Sequence, residues 1–165
     1  MTIKVRAAEP GDAVAIKAIY EQPHAYAGTL QLPYPSEVMW QQRYASQSSE
    51  FYSLVAEIDG RLVGQLGLMT QARPRRKHVA DFGMGVCASA LRKGVGTALL
   101  EAALDMCDNW LNIHRVELEV YTDNQAAITL YKKCGFEIEG EHPDDAFRDG
   151  RYVSVYSMGR IRPNR

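Results

Sequence analysis

A chain of 165 residues that is 46% apolar and 24% charged can bury one sizeable core, and its formal charge of −1 gives no reason to expect a nucleic acid or an anionic membrane as partner. No apolar run reaches membrane-spanning length, and the N-terminus MTIKVRAAEP lacks the apolar centre of a signal peptide. Cys87, Cys107 and Cys134 are odd in number and follow no metal-binding spacing, and the four histidines are scattered, so reduced thiols, a cytoplasmic setting and no metal are expected.

Residues 3–7 read as a short strand, and Pro10-Gly11-Asp12 opens a helix running to about Tyr20. The stretch EQPHAYAGTLQLPYPS is rich in Pro and Tyr without a clear period and is expected to be a long loop, a kind that in compact domains often serves function. A second helix is expected over residues 37–46. Residues 52–57 and 62–68 read as two strands joined across Asp59-Gly60, a dipeptide suited to a tight hairpin. Residues 78–87 form the next strand, followed by a helix from Gly94 to about Asn109 with Val95, Leu99, Ala102, Met106 and Trp110 along one face. Val116, Leu118 and Val120 then alternate with Glu117, Glu119 and Tyr121 in a strand. Asp123 or Asn124 can cap a short helix that Gly135 ends, and residues 136–140 and 152–158 close the sheet. No repeat, low-complexity tract or linker interrupts the chain, so one domain over residues 1–165 is expected.

The segment VCASALRKGVGTALL delivers Gly94 and Gly96 from a strand into an amphipathic helix. Glycine lets the backbone turn with no Cβ in the way, and the first helical turn leaves amide donors unpaired at the positive end of the dipole, an arrangement that holds phosphate. Arg92 and Lys93 add charge at the rim. A Walker A string GxxxxGK[ST] is absent, and Leu99 stands where a dinucleotide fingerprint needs its third glycine. The run Arg73-Pro74-Arg75-Arg76-Lys77-His78 is short and has no interleaved aromatics, which speaks for a solvated loop rather than a nucleic-acid site. One of its arginines could instead receive a small carboxylate or a phosphate.

A second segment, NQAAITLYKKCGF, follows downstream. Together the two segments resemble the GNAT superfamily of N-acetyltransferases, whose pyrophosphate loop Q/R-x-x-G-x-G/A is met by Leu91-Arg92-Lys93-Gly94-Val95-Gly96 and whose motif N-x-x-A-x-x-L-Y-x-x-x-G-F is met from Asn124 to Phe136. Leu91 departs from the polar first residue of that loop, which removes a side chain and leaves the amides. The resemblance implies an α/β fold with a mixed, mostly antiparallel sheet flanked by about four helices, and acetyl-CoA as co-substrate. It further implies that Met84, Gly85 and Val86 offer their backbone to the pantetheine arm, that Arg92, Lys93, Gly94, Val95, Gly96 and Thr97 cradle the pyrophosphate, and that Asn124 and Tyr131 lie beside the arm and the thioester. Gly83 and Gly85 also suit close approach by a ligand.

An amine attacking a thioester needs a base, donors for the oxyanion and a proton for the departing thiolate. The resemblance implies Tyr131 as the acid, and Asp81 matches a strand glutamate of the phosphinothricin-type branch that would serve as base; a water relay stays open for that step. The segments LQLPYPSEVMWQQR, RPRRKHVADFG, MCDNWL and YKKCGFEIEG look like those of bacterial L-amino-acid N-acetyltransferases acting on free amino acids with apolar or aromatic side chains, such as Phe and Met. Tyr26, Tyr34 and Trp40 are compatible with that acceptor, or pack helices onto the sheet. A peptide N-terminus, a polyamine, a drug amine, or a non-catalytic acyl-CoA-binding module remain alternatives, and self-association into a homodimer stays open.

Overall fold

The computed structural model describes residues 1–164, so Arg165, the last residue of the expected domain, lies outside the described residues. Along the chain run β1 (Ile3–Ala7), α1 (Ala13–Tyr20), α2 (Pro23–Ala27), α3 (Glu37–Ala45), β2 (Phe51–Ile58), β3 (Arg61–Thr70), β4 (Val79–Val86), α4 (Val95–Asn109), β5 (Arg115–Tyr121), α5 (Gln125–Lys133), β6 (Glu137–Arg148) and β7 (Arg151–Ile161). The seven strands follow the order β1-β2-β3-β4-β5-β7-β6, with β4 and β5 parallel in an otherwise mostly antiparallel arrangement, which is the expected mixed α/β class. Two compact units divide the chain, Met1–Met69 with Gly83–Leu104 and Thr70–Phe82 with Asp105–Arg165, and β4 passes from one to the other at Phe82.

In the first unit β1 lies antiparallel to β2, and β2 turns into β3 at Ile58↔Arg61 through Asp59 (φ 52°) and Gly60 (φ 76°). Left-handed φ at both turn residues gives the twist a two-residue hairpin needs. Runs of consecutive buried residues, Ser53 to Ala56 and Val63 to Leu66, show both faces of these strands covered. Gly64 admits α4: a Cβ there would stand 2.7 Å from Val95 Cγ1 and 3.0 Å from Leu99 Cδ1. Opposite in character is a chain of polar side chains from four elements. Tyr20 donates to Gln65 Oε1 at 2.6 Å, Gln65 Nε2 donates to Ser53 Oγ at 2.9 Å, and Ser53 and Tyr44 share a bond of 2.9 Å. Gln65 and Ser53 are buried, so each bond satisfies a group that water does not reach.

Two expectations are corrected in this unit. The 21–36 stretch is not a loop throughout, because Pro23 with its fixed φ starts α2 and buried Ala25 anchors it, and a five-residue helix is too short to display a period. It is the fifth helix beyond the four expected. The buried face of α4 is Val95, Leu99, Leu100, Ala103, Leu104 and Cys107, whereas Ala102 and Met106 are half-buried. Trp110 lies one residue beyond the helix and is 79% exposed.

In the second unit β4 runs parallel to β5 over Val79–Asp81 against Arg115–Glu117, and β5 pairs with β7 from Arg115↔Ile161 to Tyr121↔Val155. β6 and β7 form a hairpin longer than expected, turning at Arg148↔Arg151 through Asp149 (φ 51°) and Gly150 (φ 77°). Bulges between Ile138/Gly140 and between His142/Ala146 absorb Pro143 and let the strand continue. Arg160, 8% exposed, grips Asp108 with two bonds of 3.0 and 2.7 Å.

Candidate active site

α4 begins where the backbone has just turned twice. Arg92 (φ 63°) and Gly94 (φ 85°) are left-handed with Lys93 between them outside that region, an alternation that aims successive amides outward. Ala98 is the first residue of this run to donate to a backbone carbonyl, Gly94 O at 3.0 Å. Among the described residues, the amides of Gly94, Val95, Gly96 and Thr97 donate to no backbone carbonyl, and Arg92, Lys93 and Gly94 are exposed. Unpaired donors at the head of a 15-residue helix, with two cations beside them, can receive a phosphate or pyrophosphate, so the residues present fit the expected coenzyme.

Upstream, Met84 and Val86 are half-buried and Gly85 is buried. Gly85 is glycine for a packing reason: a Cβ there would lie 2.8 Å from Tyr20 Cε1 and 3.1 Å from the Tyr20 hydroxyl. A Cβ at Gly83 would meet nothing within 4 Å. The Val86 carbonyl stands 2.7 Å from His24 Nε2, a contact absent from the expected site. Trp40 is core rather than binding surface, 5% exposed, stacked on Tyr20 at 5.2 Å and 8° with the Arg43 guanidinium 4.6 Å above its ring. Tyr26 and Tyr34 do line a cleft of about 460 Å³, with Glu21, Pro23, Pro33 and Pro35.

The other expected residues lie in the second unit. Asn124 caps α5, its Oδ1 accepting from Ala127 N at 3.2 Å, which leaves the side-chain amide group as a donor. Seven residues on, Tyr131 is half-buried and held edge-on by two rings, Phe82 at 5.7 Å and Phe136 at 6.0 Å, themselves 6.0 Å apart. Its hydroxyl makes no hydrogen bond among the described residues, and burial, helped by Cys134, pushes its pKa up to about 12. At neutral pH the phenol therefore keeps its proton and can give it. Phe82 sits next to Asp81 in β4, so the strand that carries the carboxylate also braces the phenol. Asp81 is raised above the ordinary carboxylate range by desolvation first and then by Glu117, its register partner in β5, with Arg76 acting against both. Arg76 and Arg115 bind Glu117 at 2.9 and 3.0 Å, while Arg73 and Arg75 have no ion pair among the described residues. No cluster of three metal-binding side chains occurs among the described residues, and no helix there is long and apolar enough to cross a membrane.

Sequence reasoning missed Phe82, Phe136, Tyr20 and His24. A phenylalanine inside a glycine-rich strand was the available signal for the first, and the closing residue of the Asn124–Phe136 motif for the second; Tyr20 and His24 act across distant positions with no local pattern.

The sequence profile of the Acetyltransferase (GNAT) family matches residues 16–136. The L-amino acid N-acetyltransferase AaaT of Escherichia coli K12 is 49% identical over 97% of this chain and 98% of that protein. A spermidine N(1)-acetyltransferase of Vibrio cholerae is 28% identical over 94% of this chain and 91% of its own length. Among solved structures, a phosphinothricin acetyltransferase from Sinorhizobium meliloti in complex with acetyl-CoA shares the fold with a TM-score of 0.87 at 23% identity, covering 98% of this chain and 89% of that one. With a family match across most of its length and a near full-length relative at about half identity, the chain belongs to the GNAT family, as an N-acetyltransferase that takes its acetyl group from acetyl-CoA.

Proposed function

We propose that the acceptor is the α-amine of a free L-amino acid with an apolar or aromatic side chain, phenylalanine and methionine being representative. The observation that carries this reading is the near full-length similarity to the E. coli L-amino acid N-acetyltransferase. The cleft of Tyr26, Tyr34 and three prolines, with Glu21 also in its wall, supports it by offering rings and prolines to an apolar side chain. An acceptor carboxylate calls for a guanidinium fork; Arg76 is engaged with Glu117, which favours Arg73 or Arg75. A cytoplasmic setting goes with the reading, supported by three cysteines that are all free thiols.

In the proposed reaction acetyl-CoA supplies the thioester carbonyl. The amides of Gly94, Val95, Gly96 and Thr97 hold its pyrophosphate with Arg92 and Lys93 at the rim, the backbone of Met84, Gly85 and Val86 pairs with the pantetheine arm, and the Asn124 amide donates to the same arm. Asp81 takes the proton from the amine, its raised pKa making it a stronger base than an ordinary carboxylate. Tyr131 gives a proton to the departing thiolate; the desolvation that raises the phenol's pKa acts on a thiolate in the same way. Residues 1–165 act as one catalytic domain, a reading supported by a family match that begins and ends within different units.

The test is steady-state kinetics on L-phenylalanine, L-phenylalanine amide, a short peptide and spermidine. The amide should lose roughly ten- to a hundredfold in kcat/KM, because a guanidinium facing a neutral group forfeits a charge-assisted bond of about 1.5 to 3 kcal/mol. Equal or better rates on the peptide or on spermidine refute the amino-acid reading, and thiol release with none of the four places the acceptor outside the amino-acid, peptide and polyamine classes.

A further inference from the structure

The connector between α1 and α2 grips the end of β4. Gln22 Oε1 accepts from Ala88 N at 2.8 Å, and Gln22 Nε2 donates to the Ala18 carbonyl and to Cys87 Sγ, both at 3.3 Å. Two residues on, His24 Nε2 stands 2.7 Å from the Val86 carbonyl. A carbonyl only accepts, so Nε2 carries the proton and the imidazole donates. From the opposite side Cys87 N donates to Val63 O of β3 at 2.7 Å. The chain from Val86 to Ala88 is thus fixed between a strand and two side chains, directly upstream of the turn that frees the loop amides.

His24 is exposed and fills no part of the core, so its bond to Val86 serves to join α2 to β4. Pro23 and Tyr26 of the same short helix line the cleft shared with Tyr34, while Val86 belongs to the strand expected to hold the coenzyme's arm. We propose that His24 is a positioning residue for acetyl transfer, holding the acceptor-cleft wall on α2 in register with β4 through the Val86 carbonyl. The inference rests on the acceptor and coenzyme assignments proposed above. Since both substrates then lean on one bond, binding of either stiffens the seat of the other, and the two affinities are coupled.

Calorimetric titration with CoA and steady-state kinetics with the best acceptor of the panel test this in His24→Ala and His24→Gln, the glutamine Nε2 being long enough to reach the same carbonyl. His24→Ala should weaken CoA about three- to tenfold and raise the acceptor KM by a similar factor, with a smaller change in kcat. His24→Gln should recover both to within about twofold of wild type. An unchanged CoA dissociation constant in His24→Ala, an acceptor KM that stays put while CoA affinity falls, or a glutamine variant as weak as alanine overturns the proposal. Failure of the amino-acid reading shows separately, as wild-type inactivity on L-phenylalanine, and leaves the CoA measurement intact.

Discussion

Replacing Gly85 by alanine should destabilise the protein, and the same change at Gly83 should not. The new Cβ at Gly85 would sit 2.8 and 2.9 Å from two Tyr20 ring carbons, well inside ordinary contact distance. Tyr20 has little freedom to retreat, being stacked on Trp40 and bonded to buried Gln65 at 2.6 Å. If the ring holds its place, the strand must shift, an overpacking cost of about 1–3 kcal/mol. If the ring moves, buried Gln65 Oε1 loses its donor, which costs about 1–3 kcal/mol as well. Replacing a strand glycine returns roughly 0.5–1 kcal/mol of backbone entropy, leaving a net loss of about 0–2.5 kcal/mol, centred near 1. For a chain of this length each kcal/mol lowers Tm by roughly 2–4 °C. At Gly83 the Cβ meets open space, so the entropic gain stands alone and the unfolding midpoint should hold or rise. Urea and thermal unfolding followed by circular dichroism measure both, and Tyr20→Leu should cost less in the Gly85→Ala background than in wild type. A Gly85→Ala protein as stable as wild type, or an equal loss at Gly83, refutes the reasoning.

Gly96→Val should abolish most CoA affinity in calorimetric titration by crowding the amides, whereas Arg92→Ala should cost less than about tenfold because the amides remain. Tyr131→Phe should lower kcat by about 10²- to 10⁴-fold with CoA affinity nearly intact. Because the Tyr131 hydroxyl bonds to nothing in the protein among the described residues, the same variant should keep the wild-type unfolding midpoint; loss of stability with wild-type turnover would make the phenol structural. Asp12 accepts from Arg6 at 2.8 and 3.0 Å and from Glu9 N at 2.7 Å, which holds its carboxyl below the usual range. A lowered folded pKa stabilises above the unfolded value of about 3.9 and is lost as pH falls through the folded one, so urea midpoints from pH 6 to pH 2 should fall more steeply in wild type than in Asp12→Asn.

How much of this was legible in the sequence depended on whether the cause was local. Asp59-Gly60 announced its hairpin because two apolar strand-like runs flank it, yet Asp149-Gly150, with the same left-handed geometry, went unread behind a polar run containing Pro143. The face of α4 was misjudged toward Trp110 because apolarity alone does not say where a helix ends. The free amides at Gly94 to Thr97 followed from two glycines before an amphipathic run. The approach of Phe82 to Tyr131, the Tyr20 ring against Gly85 and the His24 bond to Val86, 62 positions away, are products of tertiary packing that no window of sequence contains.

The polar chain of Tyr20, Gln65, Ser53 and Tyr44 draws one member each from α1, β3, β2 and α3. A slip of β3 by one residue would turn Gln65 to the other face of the sheet, and a slip of α3 by a turn would remove Tyr44. Apolar contacts alone would accept several such neighbours; this set accepts one. The four positions are therefore not free to drift separately, since an apolar replacement at any one strands a buried partner, and a related sequence that has lost one member should have exchanged the others with it.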